Sequence, residues 1–515
     1  MASNSGDKMT ETATWIEQFR QQHGRSPRVL HIGNIANNAY NNAKLLNNVG
    51  LDCDVICYDY YHIMGCPEWE DADFEGEIKD QFFPNWNSVN LKGFKRPKWF
   101  AQGSLKLCIR YLIAKRDNRR FHTWLLWNLM DLYRFLRCSA FYSPLKDTWN
   151  IFFEIKRFIL LPVKAIVRRL PIRAIRKLQQ FLFNKSPVDD SSQVSLESFD
   201  FRVAELIEIF SNAFPTRNDK LSKSDLEAYR GIIREWQALF DCYDLIQAYS
   251  TDPILPMLVG RQNYVAYEHG TIRDIPFQSN SVGRLTALSY KLSAHSFITN
   301  PDCIHAVSRL GLEAYSFVPH VIDSKYYTKE EKRAYKNRYI FCPSRHDWEV
   351  KGTDITIRGF DSFRKEHEFS DYHLLMTSWG KDIEKSKMLV QELGISEFVY
   401  FIPPLSISKL IKFARDADTL IDQFKGYFGG IAPTALAVGT PLIMHLDFSK
   451  YEWCFTSVPP YFDANSSEEL AEALRMSVSI DRYSYASKSL DWLQKNYWYK
   501  TVVEEHLHVY SQFIE

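Results

Sequence analysis

From residue 28 the chain alternates short apolar runs with stretches of helical spacing. RVLHI ends at Gly33, NNAYNNAKLLNNVG follows with apolar positions at helical spacing, and LDCDVICYDY is the next apolar run. Strand, glycine turn, helix and strand in that order open a doubly wound α/β domain. The alternation resumes at YDLIQAYS, NYVAYEHGT, SFITN and YSFVPHVID. A second set begins near Arg338. RYIFCPSR, YHLLMTSW, FVYFIPP, DTLIDQF, TPLIMHL and PPYFDA predict strands; TDITIRGFDSFRKEH, KSKMLVQELG, SISKLIKFARDA and IAPTALAVG predict the helices between them. Apolar strands alternating with helices predict parallel sheets covered on both faces.

This pattern divides the chain. Residues 1–27 are a polar segment. Residues 28–325 form a first Rossmann-like domain, interrupted at 70–200 by a helical, aromatic-rich insertion. Residues 338–480 form a second Rossmann-like domain, and 481–515 are helices expected to cross back to the first. The length of 515 residues suits two to three domains, and 45% hydrophobic with 24% charged residues is ordinary globular composition. The N-terminus lacks the apolar core of a signal peptide, and no run reaches the roughly 18–20 apolar residues that span a bilayer. The nine cysteines are scattered without a CxxC pair. A cytoplasmic protein is expected, with reduced thiols.

Charge changes the picture at one place. Residues 101–185 hold 18 Lys/Arg and 4 Asp/Glu in a chain of net charge +1. Aromatic and aliphatic residues lie between the cations at helical spacing. That mixture suits a helix lying on an anionic membrane surface, so the protein is expected to sit peripherally on one. An ordinary helical insertion packed on the core remains open. Nucleic-acid binding is the least supported, because no nucleic-acid motif accompanies the charge.

Ligands of open parallel sheets bind outside the carboxyl ends of the strands, so those ends carry the candidate chemistry. Gly33 allows close backbone approach at a strand-to-helix turn, and Asn34 and Asn37 offer donors and acceptors to hydroxyls; a plain tight turn is the alternative. Asp252, Glu268, His269 and Arg273 follow two further strands. A histidine at a strand end beside glycine suits a cleft group, and a histidine satisfied in its turn is the bland reading. Arg345 and Lys351 flank a strand-to-helix turn, where two cations suit a pyrophosphate unless they are merely solvated. Ile402 ends a strand that would offer backbone groups to a base. Asp422 and Gln423 end the next, and Gly429 and Gly430 open the following helix as a phosphate-receiving turn. No acidic cluster suits a metal, and no cofactor is expected.

The order SR-x5-KG, then FIPPL, then FGG-x3-PTALAVGTPLI resembles the retaining GT-B glycosyltransferases, especially glycosyltransferase family 4. The resemblance is good over 338–480 and looser over 28–60 and 243–325, through HIGN, YEHGT and PHVID. It implies two Rossmann-like domains facing across a cleft and transfer of a sugar from a nucleoside diphosphate sugar to a glycan or lipid-linked hydroxyl. It implies that Arg345 and Lys351 hold the diphosphate, that His269 lies near the sugar hydroxyls, and that Gly33, Phe428, Gly429 and Gly430 meet the donor. The family's E-x7-E glutamates are replaced by Gly426 and Thr434, which leaves Asp422 and Gln423 as substitutes for the sugar contact. Asn37, Asp252, Glu268 and Arg273 are expected on the acceptor side. A catalytically silent nucleotide-binding subunit is the alternative, and a nucleotide-sugar epimerase fits less well because it needs paired carboxylates.

Overall fold

The computed structural model describes residues 15–138, 196–322 and 335–515. Among them, β1 (Arg28–Ile32), β2 (Asp52–Tyr58), β3 (Phe100–Gly103), β4 (Leu245–Tyr249), β5 (Tyr264–Tyr267), β6 (His295–Ile298) and β7 (Tyr315–Phe317) form one sheet. Its strand order is β3-β2-β1-β4-β5-β6-β7, with every neighbouring pair parallel. A second parallel sheet has the order β10-β9-β8-β11-β12-β13. It comprises β8 (Tyr339–Cys342), β9 (His373–Thr377), β10 (Val399–Ile402), β11 (Thr419–Ile421), β12 (Leu442–Met444) and β13 (Phe462–Asp463). In each sheet the order reverses beside the central strand, β1 or β8. That is the switch point where such folds bind ligands.

The strands read as apolar runs because both faces are buried. Leu30, Ile32, Ile56, Ile246 and Ala248 enter one core, while Val29, Val55, Leu245, Tyr249 and Val265 enter another on the opposite face. Successive side chains alternate across a strand, so one run feeds both cores. Helices α1 (Asn38–Asn48), α2 (Leu105–Arg116) and α3 (Arg120–Cys138) belong to the first half, and α4 (Thr353–Arg364), α5 (Ala432–Val438) and α6 (Arg482–Asn496) to the second. α5 ends at Gly439, whose φ of +68° suits a glycine cap. A Cβ there would stand 2.4 Å from that of Ala486 on α6, so glycine also permits this close helix approach.

The final helix, α7 (Tyr499–Tyr510), packs on the first sheet rather than the second. Val502, Leu507, Val509 and Tyr510 join the core with Val29 and Val265. Each such burial contributes about 1.5–3 kcal/mol. Tyr510 donates to Gln247 Oε1 at 2.6 Å, deep in the first domain.

The structure corrects the reading of 70–200 as an insertion. β3 lies within it and extends the sheet, with Val55 opposite Phe100 and Tyr58 opposite Gly103. α2 then packs on that sheet edge through Cys108, Ile109 and Leu112. Two of the segment's cations neutralise a buried carboxylate: Lys115 and Arg116 each lie 2.5 Å from Asp54. Residues 139–185, which carry the rest of the basic run, lie outside the described residues. No helix among the described residues is long and apolar enough to cross a membrane.

Candidate functional site

On the first domain the strand-end loops build a polar cluster. Gly33 has φ +87°, and a Cβ there would stand 2.5 Å from Asp252 Oδ2. The carboxyl at the β4 end therefore lies directly over the glycine at the β1 end. Tyr58 donates to Asp252 Oδ1 at 2.6 Å. Burial pushes the Asp252 carboxyl up to about 6, against the opposing effect of that hydrogen bond. The chain then turns through two left-handed non-glycine residues, Ala36 (φ +49°) and Asn37 (φ +55°), before α1 begins. Such residues cost about 1–2 kcal/mol each, so the surrounding contacts must hold them.

Those contacts explain why Asn34 and Asn37 differ from expectation. Asn34 donates to Asn37 Oδ1 and to the Gly65 carbonyl, both at 2.9 Å, and accepts from the Tyr40 amide. Asn37 donates to the Cys66 carbonyl at 3.0 Å. Both asparagines are buried and hold the turn. The residue that reaches the cleft group is their neighbour. Asn38 lies between two histidines, with Nδ2 2.9 Å from His269 Nδ1 and Oδ1 2.8 Å from His320 Nδ1. Its amide fixes both tautomers: His320 donates to the oxygen, and His269 Nδ1 accepts from the nitrogen. His269 Nε2 therefore carries the proton and is a donor. Burial, assisted by the Arg273 charge, lowers His269 to about 4, so it stays neutral at pH 7.

Glu268 serves the loops themselves. It is fully buried and accepts from the backbone amides of Thr299 (3.2 Å), Asn300 (3.1 Å) and Gly270, tying the β5 loop to the β6 loop. Burial raises its pKa while the Asn300 side chain and amide oppose the rise. Arg273 is gripped in a fork by Asp302, with Nη2 2.7 Å from Oδ1. Its guanidinium lies 5.7 Å from the Tyr427 ring of the second domain. Arg273 thus joins the domains. Trp453 Nε1, donating to the Pro301 carbonyl at 3.0 Å, makes a second bridge.

On the second domain the loop after β8 presents two cations. Arg345 is half-exposed, and its nearest carboxylate contact is a loose 3.5 Å to Asp347. The turn is pinned beneath it: Asp347 caps the Val350 amide at 3.1 Å, and Trp348 N donates to Asp382 at 3.0 Å. Lys351 Nζ stands 3.9 Å from Asp422 Oδ1, longer than a well-formed ion pair. The Asp422 carboxylate is 1% exposed. Burial raises its pKa, opposed by Lys351 and by the amides of Ala432 and Gly429. A Cβ on Gly429 would lie 2.4 Å from Asp422 Oδ2, whereas one on Gly430 would meet nothing within 4 Å.

The remaining expected donor contacts divide. The Gln423 amide donates to the Tyr427 and His445 carbonyls and accepts from Lys425 N at 2.6 Å, which holds the loop. Phe428 turns its ring onto Phe455, Trp492 and Tyr497, and its amide donates to Tyr451 Oη at 2.7 Å. Its backbone is thus engaged within the protein. The Ile402 carbonyl accepts from Ser378 N at 2.7 Å. Thr434 is partly exposed on α5. The residues that the sequence reading missed are Asn38, His320, Tyr58, Asp302 and Tyr427.

Two parallel Rossmann-like sheets, each with its polar loops at the strand ends, are tied by a last helix returning to the first. The architecture is GT-B. No family model matches this GT-B chain. It is 29% identical over 102 residues to D-inositol 3-phosphate glycosyltransferase of Acidothermus cellulolyticus, a match covering 18% of this chain and 23% of that protein. The chain thus spans less than a quarter of the curated relative it matches. Among solved structures it is similar to Anabaena HepE in complex with UDP (TM-score 0.46, 15% identity, 60% of this chain and 96% of that one). It is also similar to sucrose-phosphate synthase from Thermosynechococcus elongatus (TM-score 0.44, 15% identity, 57% and 80%).

Proposed function

We propose that this protein is a glycosyltransferase that moves a sugar from a nucleoside diphosphate sugar to a hydroxyl of a glycan or lipid-linked acceptor, with retained anomeric configuration and without a metal. One observation carries the reading. Arg345 and Lys351 stand on one pinned strand-end turn, 3.5 and 3.9 Å from their nearest carboxylates, and so remain under-neutralised. Two such cations suit a diphosphate, and they stabilise the charge that grows on it as the glycosidic bond breaks. The short match to a glycosyltransferase supports the same class.

In this mechanism Arg345 and Lys351 bind the diphosphate before and after departure. The neutral His269 donates its Nε2 proton to a hydroxyl of the donor sugar. The acceptor hydroxyl attacks the anomeric carbon from the face the diphosphate leaves, and its proton passes to the diphosphate. Asp422, held against Gly429, is the carboxylate that faces Lys351 and takes the sugar contact. The Arg273–Tyr427 and Trp453–Pro301 contacts keep the domains together, so the closed cleft excludes water.

A second reading has one observation in its favour. The Asp422 carboxylate already faces the amides of Gly429 and Ala432, which a donor anion would otherwise meet. A chain with that turn filled would bind nucleotide weakly and serve as a silent subunit. A thermal-shift screen of nucleoside diphosphates and their sugars, beginning with UDP, tests both. Ligand at a hundredfold excess over Kd adds about 2.7 kcal/mol of stability. Clear stabilisation together with slow sugar release from the donor supports the transferase; weak stabilisation without turnover under any acceptor supports the silent subunit.

A further inference from the structure

A cavity of about 610 Å³ opens at the β3 edge of the first sheet, and none of the residues assigned to the donor lines it. Its walls come from the loop after β2, from Gln102 on β3 and from one side of α3. Four cations line it, Lys95, Arg96, Lys98 and Arg134, against two carboxylates, Glu68 and Asp131.

The cations are not equally matched. Arg96 is held by Glu68 at two points, 2.9 and 2.6 Å, so that pair is complete. Arg134 gives one N–H to the Gln102 carbonyl at 2.9 Å and pairs with Asp131 within its own helix. Its side chain is 14% exposed, and burial with the Arg96 charge lowers its pKa to about 10. Lys98 Nζ lies 3.7 Å from the centre of the Trp127 ring and has no carboxylate in ion-pair range among the described residues. Tyr61 is 4% exposed, lines the cavity, and leaves its hydroxyl without a hydrogen-bond partner among the described residues. A cavity with excess positive charge and an unused hydroxyl suits an anion that accepts hydrogen bonds.

The mouth is apolar. Leu132 and Phe135 line it and are 43% and 45% exposed. The same face of α3 continues to Trp124 and Phe121, 62% and 67% exposed. At 100° per residue these four positions fall within an arc of about 80°, and they extend about 21 Å along the helix. Apolar side chains of this size on one helix face beside a cationic cavity match a surface with a charged layer above an apolar one.

We propose that this cavity seats the phosphate of a lipid headgroup, the anchored end of a lipid-linked acceptor, while the Phe121–Phe135 stripe lies in the apolar layer beside it. The word acceptor rests on the glycosyltransferase reading; lipid phosphate binding does not. Residues 139–185, outside the described residues, hold ten Lys/Arg and two Asp/Glu, a net charge of the same sign as the cavity's.

Flotation of the full chain with phosphatidylcholine vesicles tests this, with phosphatidic acid, phosphatidylserine or neither added at equal charge. The wild type is expected to float with phosphatidic acid, and glycerol 3-phosphate is expected to compete. Lys98→Gln with Arg134→Gln should weaken phosphatidic acid binding about tenfold or more, since each cation at the surface adds appreciable affinity. Lys98→Gln alone, at an exposed position, serves if the double variant does not fold. Trp124→Ser should weaken vesicle binding while leaving glycerol 3-phosphate binding intact. Equal flotation of wild type and variants, equal loss with phosphatidic acid and phosphatidylserine, or no flotation would each overturn the proposal. UDP titration of the same preparations separates the two claims. Lipid phosphate binding without UDP binding keeps the cavity and removes the transferase; UDP binding without lipid phosphate binding does the reverse.

Discussion

Replacing Gly429 by alanine should damage the protein, and the same change at Gly430 should not. At Gly429 the new methyl would lie 2.4 Å from Asp422 Oδ2 and 2.8 Å from Oδ1. Ordinary contact begins near 3.4 Å, so a shift of about 1 Å is required. The Asp422 side chain is 1% exposed and cannot swing into solvent. Overpacking of this kind costs about 1–3 kcal/mol. Asp422 is also the carboxylate facing Lys351, so its displacement moves the cation proposed to bind the diphosphate. A misplacement near 1 Å is worth about a hundredfold in turnover. At Gly430 nothing lies within 4 Å, and the effect should stay below about 0.5 kcal/mol. Urea denaturation and donor turnover on both variants measure the two quantities. Equal stability and equal turnover for the two variants would refute the reasoning.

Arg345→Ala and Lys351→Ala should each lower donor turnover about a hundredfold while leaving the denaturation midpoint nearly unchanged, since both lie on a turn; near-wild-type rates from either would remove the diphosphate assignment. Transfer should persist in excess EDTA, and loss on chelation with recovery on adding manganese or magnesium would contradict the metal-free reading. His269, lowered to about 4, stays neutral when folded but gains a proton near 6.5 when unfolded. The unfolded state therefore binds more protons between these values, and stability falls as pH drops through that window, by about 3 kcal/mol for this group. Comparing His269→Gln with the wild type at pH 7 and pH 4.5 should show the variant losing less on acidification; parallel losses would show that His269 is not held neutral.

Most of both sheets could be read from sequence because their strands are buried on two faces and so appear as unbroken apolar runs. β3 could not. It has four residues, two of them Gln102 and Gly103, and no periodicity develops over that length. The strand-end placement of Gly33, His269, Arg345 and Lys351 was legible too. The contacts within the loops were not. Seven asparagines fall between positions 34 and 48. Which one meets His269 depends on the left-handed pair Ala36 and Asn37, which sets the start of α1. Asn34 and Asn37 satisfy the turn itself, and Asn38 is left to face the histidines. Gln423 and Glu268 bond within their loops for the same reason: a tight loop has backbone groups to satisfy, and the nearest polar side chain does so. His320 lies 51 positions from His269, and only the sheet brings them together.

The return of α7 to the first sheet fixes the order in which the protein can be finished. The last strand of that sheet is complete at Phe317, yet Val502 through Tyr510 fill part of its core. At about 5–20 residues per second, roughly 10–40 s of synthesis separate the two. Throughout that interval the nascent first domain exposes the apolar surface around Val29, Ala39 and Val265 that α7 later covers. The half made first is therefore the half completed last, and a ribosome that stalls within the second domain leaves both unfinished.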